Sequence, residues 1–231
     1  GDNWKTHAKN LSEKEYCVHL VDQRNHGRSF WSDKFDYDVM VNDLLQYLNH
    51  HGINQCVVLG HSMGGKTAMA FALNYPDRVQ KLIIADIAPK YYAPHHQKIL
   101  AGLSTLNLEE VSSRKAAAEH LKNFIPEAGT RQFLLKNLYW VSEGKLGLRI
   151  NVAVLKNAAE AVGATIQSQK QYHQPTLFLY GENSNYINPM TDTEILKYFP
   201  KAEIIEIKGA GHWLHAEKPL LFFKTLTQWL V

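Results

Sequence analysis

The chain has 231 residues, of which 45% are hydrophobic, 11% aromatic and 20% charged, and 25 Lys and Arg against 22 Asp and Glu give a formal net charge of +3. This composition excludes a disordered or fibrous chain, and so small a charge, without basic clusters interleaved with aromatics, argues against nucleic-acid binding. No run approaches the roughly 18 apolar residues a spanning helix needs, and Gly1-Asp2-Asn3-Trp4-Lys5 lacks a signal peptide's charged-then-apolar layout, so the expected compartment is the cytoplasm.

Short apolar runs rich in β-branched residues alternate with segments of helical period, the pattern of a parallel sheet covered by helices on both faces. In chain order the expected strands are Glu15–Asp22, Gln55–Gly60, Lys81–Asp86, Pro175–Gly181 and Ala202–Lys208, each closing at or beside a turn former. Tyr37–His50 places Val39, Val41, Leu44, Leu45 and Leu48 largely on one helical face, and a second helix over Lys66–Leu73 stops before Tyr75-Pro76-Asp77. Residues 90–170 break the alternation with helical patterns such as Leu108–Phe124 and Gln132–Trp140 and no convincing strand, as an inserted helical cap would. A closing helix over Lys218–Val231 carries Leu220, Phe223, Leu226 and Leu230. The expected fold class is therefore α/β, a mostly parallel central sheet with helices on both faces, its core formed by 1–89 and 171–231. Cys17 and Cys56 lie in apolar runs at no metal-ligand spacing and are expected to be buried small hydrophobes.

Val57–Leu73 reads strand, glycine-rich turn, helix, and it satisfies two unrelated motifs. Gly60-His61-Ser62-Met63-Gly64 is Gly-x-Ser-x-Gly, the nucleophile elbow, in which a strained turn lifts a serine hydroxyl to the top of a sheet. Gly60–Thr67 is also Gly-x-x-x-x-Gly-Lys-Thr, a phosphate-cradling loop whose Lys66 would reach a nucleotide, with Asp86 after an apolar strand as the magnesium-binding carboxylate. Features elsewhere favour the serine. A hydroxyl nucleophile needs a general base, and Gly209-Ala210-Gly211-His212 supplies one directly after the last strand. The polar turn Asp22-Gln23-Arg24-Asn25-His26-Gly27-Arg28-Ser29 has no place in the phosphate-loop reading, and a phosphate loop ordinarily follows the first strand of its domain.

The stretches VDQRNHGRS, GHSMGGK, IADIAP, LYGENSNY and GAGHWLHAEKP resemble, in order, those of the α/β-hydrolases, and among them the small bacterial YbfF-type esterases. The resemblance implies that fold, a serine esterase or thioesterase acting on a small-molecule ester or acyl thioester, and no cofactor or metal. Ser62 is the expected nucleophile and His212 its base. The family's usual acid position follows Gly181, where this chain has Ser184 instead of an Asp. Asp86, 24 residues after Ser62, is the favoured acid, an arrangement similar to that of YbfF-type esterases, and Glu182 is the alternative. Met63 should offer its backbone N–H to the oxyanion. By the same resemblance, the loop that supplies the second donor, and the first strands, precede the chain as given, which opens on the stretch that follows that loop.

The remaining expectations are structural. Asp22, Arg24 and Ser29 should fix their turn by local hydrogen bonds, and Lys66 should be a cation on a helix face. Asp192 and Glu217 should be helix-start residues near solvent. Met63, Tyr91, Tyr92, Phe124, Phe133 and Trp140 are candidates for an acyl pocket, with simple core as the other reading. Residues 90–170 carry 11 Lys and Arg against six Glu, a local +5 that could draw anionic thioesters such as acyl-CoA. Two other classes stay open on the residues alone: a nucleotide hydrolase using Gly60–Thr67, and a non-catalytic, hydrolase-like binding protein.

Overall fold

A computed structural model describes residues 1–94, 97–111 and 113–231. In chain order it has α1 (Lys5–Ser12), α2 (Tyr37–His50), β1 (Cys56–His61), α3 (Met63–Asn74), β2 (Val79–Ala85), α4 (Gln97–Ser104), α5 (Arg114–Lys122), α6 (Ala128–Leu134), β3 (Leu138–Ser142) and β4 (Lys145–Leu148). There follow α7 (Val152–Asn157), α8 (Ala159–Gly163), β5 (Thr176–Gly181), α9 (Glu194–Tyr198), β6 (Ala202–Ile207), α10 (Leu214–Glu217) and α11 (Pro219–Leu230). These elements form two compact units, Tyr37–Tyr92 with Ala164–Val231 and Gly1–Asp36 with Ala93–Gly163.

The first of these units holds a four-stranded sheet in the order β1-β2-β5-β6, parallel throughout. Side chains alternate between the faces of a strand, so register assigns each face its residues. Ile84, Phe178 and Ile204 are cross-strand neighbours, and they pack in one apolar cluster with Met69 and Phe71 of α3 and Val41 and Leu48 of α2. Ile83, Leu177 and Glu203 are neighbours on the opposite face. There Lys81 donates to the Leu230 carbonyl and Trp229 donates through Nε1 to Glu203, which docks α11. Helices therefore cover both faces, as the near-continuous apolar strands require. The expected α/β class with a parallel sheet is what the chain adopts. Helix α3 ends where Pro76, lacking an N–H and restricting Tyr75, stops propagation.

The sheet matters to function because all its strands run the same way. The C-terminal ends of β1, β2, β5 and β6 lie along one edge, so the residues that follow them, at 62, 86, 182–186 and 208–212, gather there.

The other unit is built from α1, the segment 13–36 and the helices and hairpin between 97 and 163, around Leu103, Leu121, Leu135, Leu138 and Leu146. Its helical content is as expected, with a departure. Leu138–Trp140, expected as helix, belongs to the β3–β4 hairpin: Tyr139-Trp140-Val141 is rich in β-formers and Glu143-Gly144 reverses the chain. The turn after Asp22 is held locally, with Asp22 accepting from Arg28 N–H, Ser29 donating to the Asp22 carbonyl and Arg24 donating to the Lys34 carbonyl. Asn25, fully buried, exchanges hydrogen bonds with Ser32 and accepts one from Asn151.

Two expectations fail together. Glu15–Asp22 is not a strand, because no described strand lies beside it to complete a hydrogen-bonded ladder, and apolar composition alone does not make one. Cys17 in that segment is accordingly exposed, and Cys56 is only half-buried at the start of β1.

Among the described residues no helix is long and apolar enough to cross a membrane. Phe178, fully buried in the middle of β5, anchors the face against α3. Phe178→Ala should lower the unfolding free energy by about 3–5 kcal/mol, measured as a lower urea midpoint at constant slope.

Candidate active site

Ser62 follows the last residue of β1 and immediately precedes α3, at φ 54° and ψ −122°. A residue with a side chain rarely adopts that backbone, which costs on the order of 1–3 kcal/mol. The turn closes so tightly that a Cβ on Gly60 would lie 2.2 Å from the Gly64 carbonyl oxygen, so position 60 admits no side chain. The elbow is anchored by Ser62 N–H to the Ala85 carbonyl (3.1 Å) and by Lys66 N–H to the Ser62 carbonyl (3.1 Å). Met63 is thus the first residue of the helix, and its N–H lies at the positive end of the α3 dipole.

Asp86 follows β2, also in the left-handed region at φ 52°, and is fully buried. Its Oδ1 accepts from Gly181 N–H at 3.1 Å. Its Oδ2 accepts from the Ser184 hydroxyl and from His212 Nδ1 at 2.8 Å. A carboxylate only accepts, so the hydrogen on His212 is drawn to Nδ1, leaving the Nε2 lone pair facing Ser62 Oγ at 3.1 Å. The loop that carries the imidazole is pinned separately: Glu217 accepts from Gly211 N–H (2.7 Å) and Trp213 N–H (3.1 Å), and His61 Nε2 donates to the His212 carbonyl (2.8 Å). A side chain at Gly181 would strike the Gly211 carbonyl, so this loop lies directly on the end of β5. Burial above all, with the neighbouring His212 and His215 rings, holds His61 well below the ordinary histidine range, so it stands uncharged beside His212. The Tyr186 ring is stacked on the His212 ring, centroids 3.9 Å apart and planes within 16°.

Of the residues expected from sequence, Ser62, Asp86 and His212 are brought into one hydrogen-bonded line, whereas Glu182 spends its Oε2 on Gly209 N–H at 2.7 Å. Phe124 packs against the Leu121 and Leu135 core of its own unit, Phe133 lies beneath Lys136, and Tyr91 and Trp140 are each 52% exposed. Sequence reasoning missed Tyr186, His61 and the hydroxyl of Ser184 as neighbours of the imidazole and its acid. Spacing from Gly181 places Ser184 at the family's acid position without revealing its bond to Asp86, and nothing local points to Tyr186. Asp192 is buried rather than near solvent, because it is paired with Lys90 at 2.7 Å and accepts from Asn188 N–H.

Lys66 also departs from expectation. It is 1% exposed, its Nζ donates to the Ala164 carbonyl at 2.5 Å, and it lies 4.9 Å from the Tyr92 ring centroid. An amine enclosed this way is not offered to a phosphate at the loop, and Asp86 is occupied by His212. Burial brings Lys66 down from 10.5 to about 8. Between those values the unfolded chain holds the proton that the folded chain has lost, so stability rises with pH. Relative to Lys66→Met, the wild type should gain stability from about pH 8 to about pH 10 in urea titrations; a pH-independent difference would contradict the burial. Gly60→Ala should cost about 1–3 kcal/mol in the same assay.

The profile of the alpha/beta hydrolase fold family matches residues 1–102. The chain is 40% identical to sn-1-specific diacylglycerol lipase ABHD11 of Mus musculus over 92% of its own length and 71% of the relative's. It is 34% identical to esterase YbfF of Escherichia coli over 99% and 88% of the two chains. A solved structure described as a marine microorganism esterase superposes with a TM-score of 0.93 at 39% identity, covering 99% of this chain and 90% of that one. The relatives and the parallel sheet with its elbow converge: this chain belongs to the α/β-hydrolase family, among its esterases and lipases.

Proposed function

We propose that the chain is a serine hydrolase that cleaves carboxylic esters through an acyl-enzyme, with Ser62 as nucleophile, His212 as general base and acid, and Asp86 as the orienting carboxylate. The observation that carries this reading is the unbroken relay from Ser62 Oγ through His212 to the buried Asp86. Ser62 Oγ attacks the ester carbonyl carbon while its proton passes to His212 Nε2; the carbonyl π pair moves to oxygen and is stabilised by the Met63 N–H. Collapse expels the alcohol, which takes the proton from His212. Water then attacks the acyl-serine by the same route and releases the acid. Asp86 stays ionised throughout and stabilises the imidazolium.

The relatives support the substrate class. The mouse protein's name specifies the sn-1 ester of a diacylglycerol, which supports an uncharged acyl ester in preference to a thioester; the local +5 of residues 90–170 is the feature that favours acyl-CoA. We propose residues 90–170 as the inserted helical cap of the hydrolase fold and the cytoplasm as the protein's compartment.

Reaction with a fluorophosphonate followed by peptide mapping tests the reading. Adduct should form at Ser62 and be absent from Ser62→Ala, whereas labelling elsewhere or none would overturn it. Ester turnover should fall about 10⁶-fold in Ser62→Ala and about 10⁴-fold in Asp86→Asn, while Glu182→Gln should stay within about threefold. A larger loss in Glu182→Gln than in Asp86→Asn would transfer the acid role. Comparing diacylglycerols, p-nitrophenyl esters and acyl-CoAs of matched chain length separates ester from thioester preference.

A further inference from the structure

His212 is held at both ring nitrogens by bonds that lie in the ring plane, Nδ1 to Asp86 and Nε2 to Ser62. Those bonds act at the ring edge and restrain the tilt of the ring only through their angles; a contact on the ring face restrains it directly. Tyr186 makes that contact, its ring nearly parallel to the imidazole at 3.9 Å. Tyr186 is itself fixed. Its N–H donates to Ser184 Oγ (3.3 Å), its carbonyl accepts from the Tyr92 hydroxyl (2.5 Å), and the Tyr92 ring packs 5.3 Å away. Tyr92 in turn accepts from Ala88 N–H at 2.9 Å, just beyond Asp86. The loop that supplies the Ser184 hydroxyl to Asp86 thus also supplies the ring on His212.

We propose that Tyr186 is a positioning residue for the serine chemistry: its stacked ring sets the tilt of the His212 imidazole, and the negative face of its π system favours the protonated ring formed when Ser62 gives up its proton. This rests on the roles of Ser62, His212 and Asp86 proposed above. A cation over an aromatic face gains about 0.5–2 kcal/mol, more where water is excluded. Among the described residues, Asp86, His61 and Tyr186 face His212, His215 lies behind His61, and the Glu217 carboxylate holds the backbone on either side of His212. Burial pushes Tyr186 up to about 12, so it remains an uncharged phenol across the range in which histidine titrates, and replacing it changes no charge.

The test is the pH dependence of the fluorophosphonate labelling rate at Ser62 in the full chain. In Tyr186→Leu the imidazolium loses its partner and the neutral ring persists to lower pH. The acid limb of the profile should therefore move down by about half to one pH unit, and the plateau rate should fall about tenfold. Tyr186→Phe keeps the ring and should keep the limb at the wild-type position. Tyr186→Met carries the same expectation as Leu should the Leu variant fail to fold in a thermal scan. A limb that stays in place in Leu or Met, or moves equally in Phe, overturns the inference. Ser62→Ala serves as the separate control: undiminished labelling there overturns the triad reading itself, whereas loss of labelling with an unmoved limb in Tyr186→Leu overturns the role of Tyr186 alone.

Discussion

A carboxylate withdrawn wholly from water is tolerated only where donors replace the lost solvent, and Asp86 has three, from two parts of the chain: Gly181 N–H and the Ser184 hydroxyl at the end of β5, and His212 Nδ1 after β6. This buried acceptor governs the rest of the site. It selects the tautomer of His212, and so decides that the nitrogen facing Ser62 accepts rather than donates. It ties the ends of β2 and β5 to the loop after β6, so the sheet edge and the Ser62–His212 pair share one set of hydrogen bonds. Removing the charge while leaving the shape would keep the fold and lose the tautomer.

The second constraint is backbone strain. Both Ser62 and Asp86 sit at positive φ without being glycine, a conformation the surrounding structure must enforce. Enforcement comes from the parallel sheet: Ser62 N–H is bonded to Ala85 and Asp86 N–H to Leu179, and both acceptor residues are fully buried. Ser62 and Asp86 therefore stand at the ends of rigid strands, while the imidazole, on a loop, is held by Glu217, His61 and Tyr186.

What was legible in the sequence follows from what is local. The elbow is written in five adjacent residues because the tight turn fixes their types, and four strands of the sheet are written as apolar runs because both faces are covered. His212 was legible from its glycine-flanked place after the last strand. Asp86 was legible as a strand-end carboxylate, but its preference over Glu182 came from resemblance; the hydrogen bonds that separate the two span 95 residues or more for Asp86 and 27 for Glu182. The misreadings share a cause. Glu15–Asp22 has a strand's composition but no neighbour, Lys66 has a surface residue's identity but an aromatic enclosure, and Asp192 is buried by a partner 102 residues away. In each case the presence or absence of a remote partner decides, where neither periodicity nor propensity reaches.

The claim on which the account depends is that the buried Asp86 holds the His212 hydrogen on Nδ1. A long-range proton–nitrogen correlation spectrum of the imidazole rings, with His212 assigned by its loss in His212→Gln, reads this tautomer directly at neutral pH. The account predicts neutral His212 protonated at Nδ1, with that preference lost in Asp86→Asn; a neutral ring protonated at Nε2 in the wild type would contradict it.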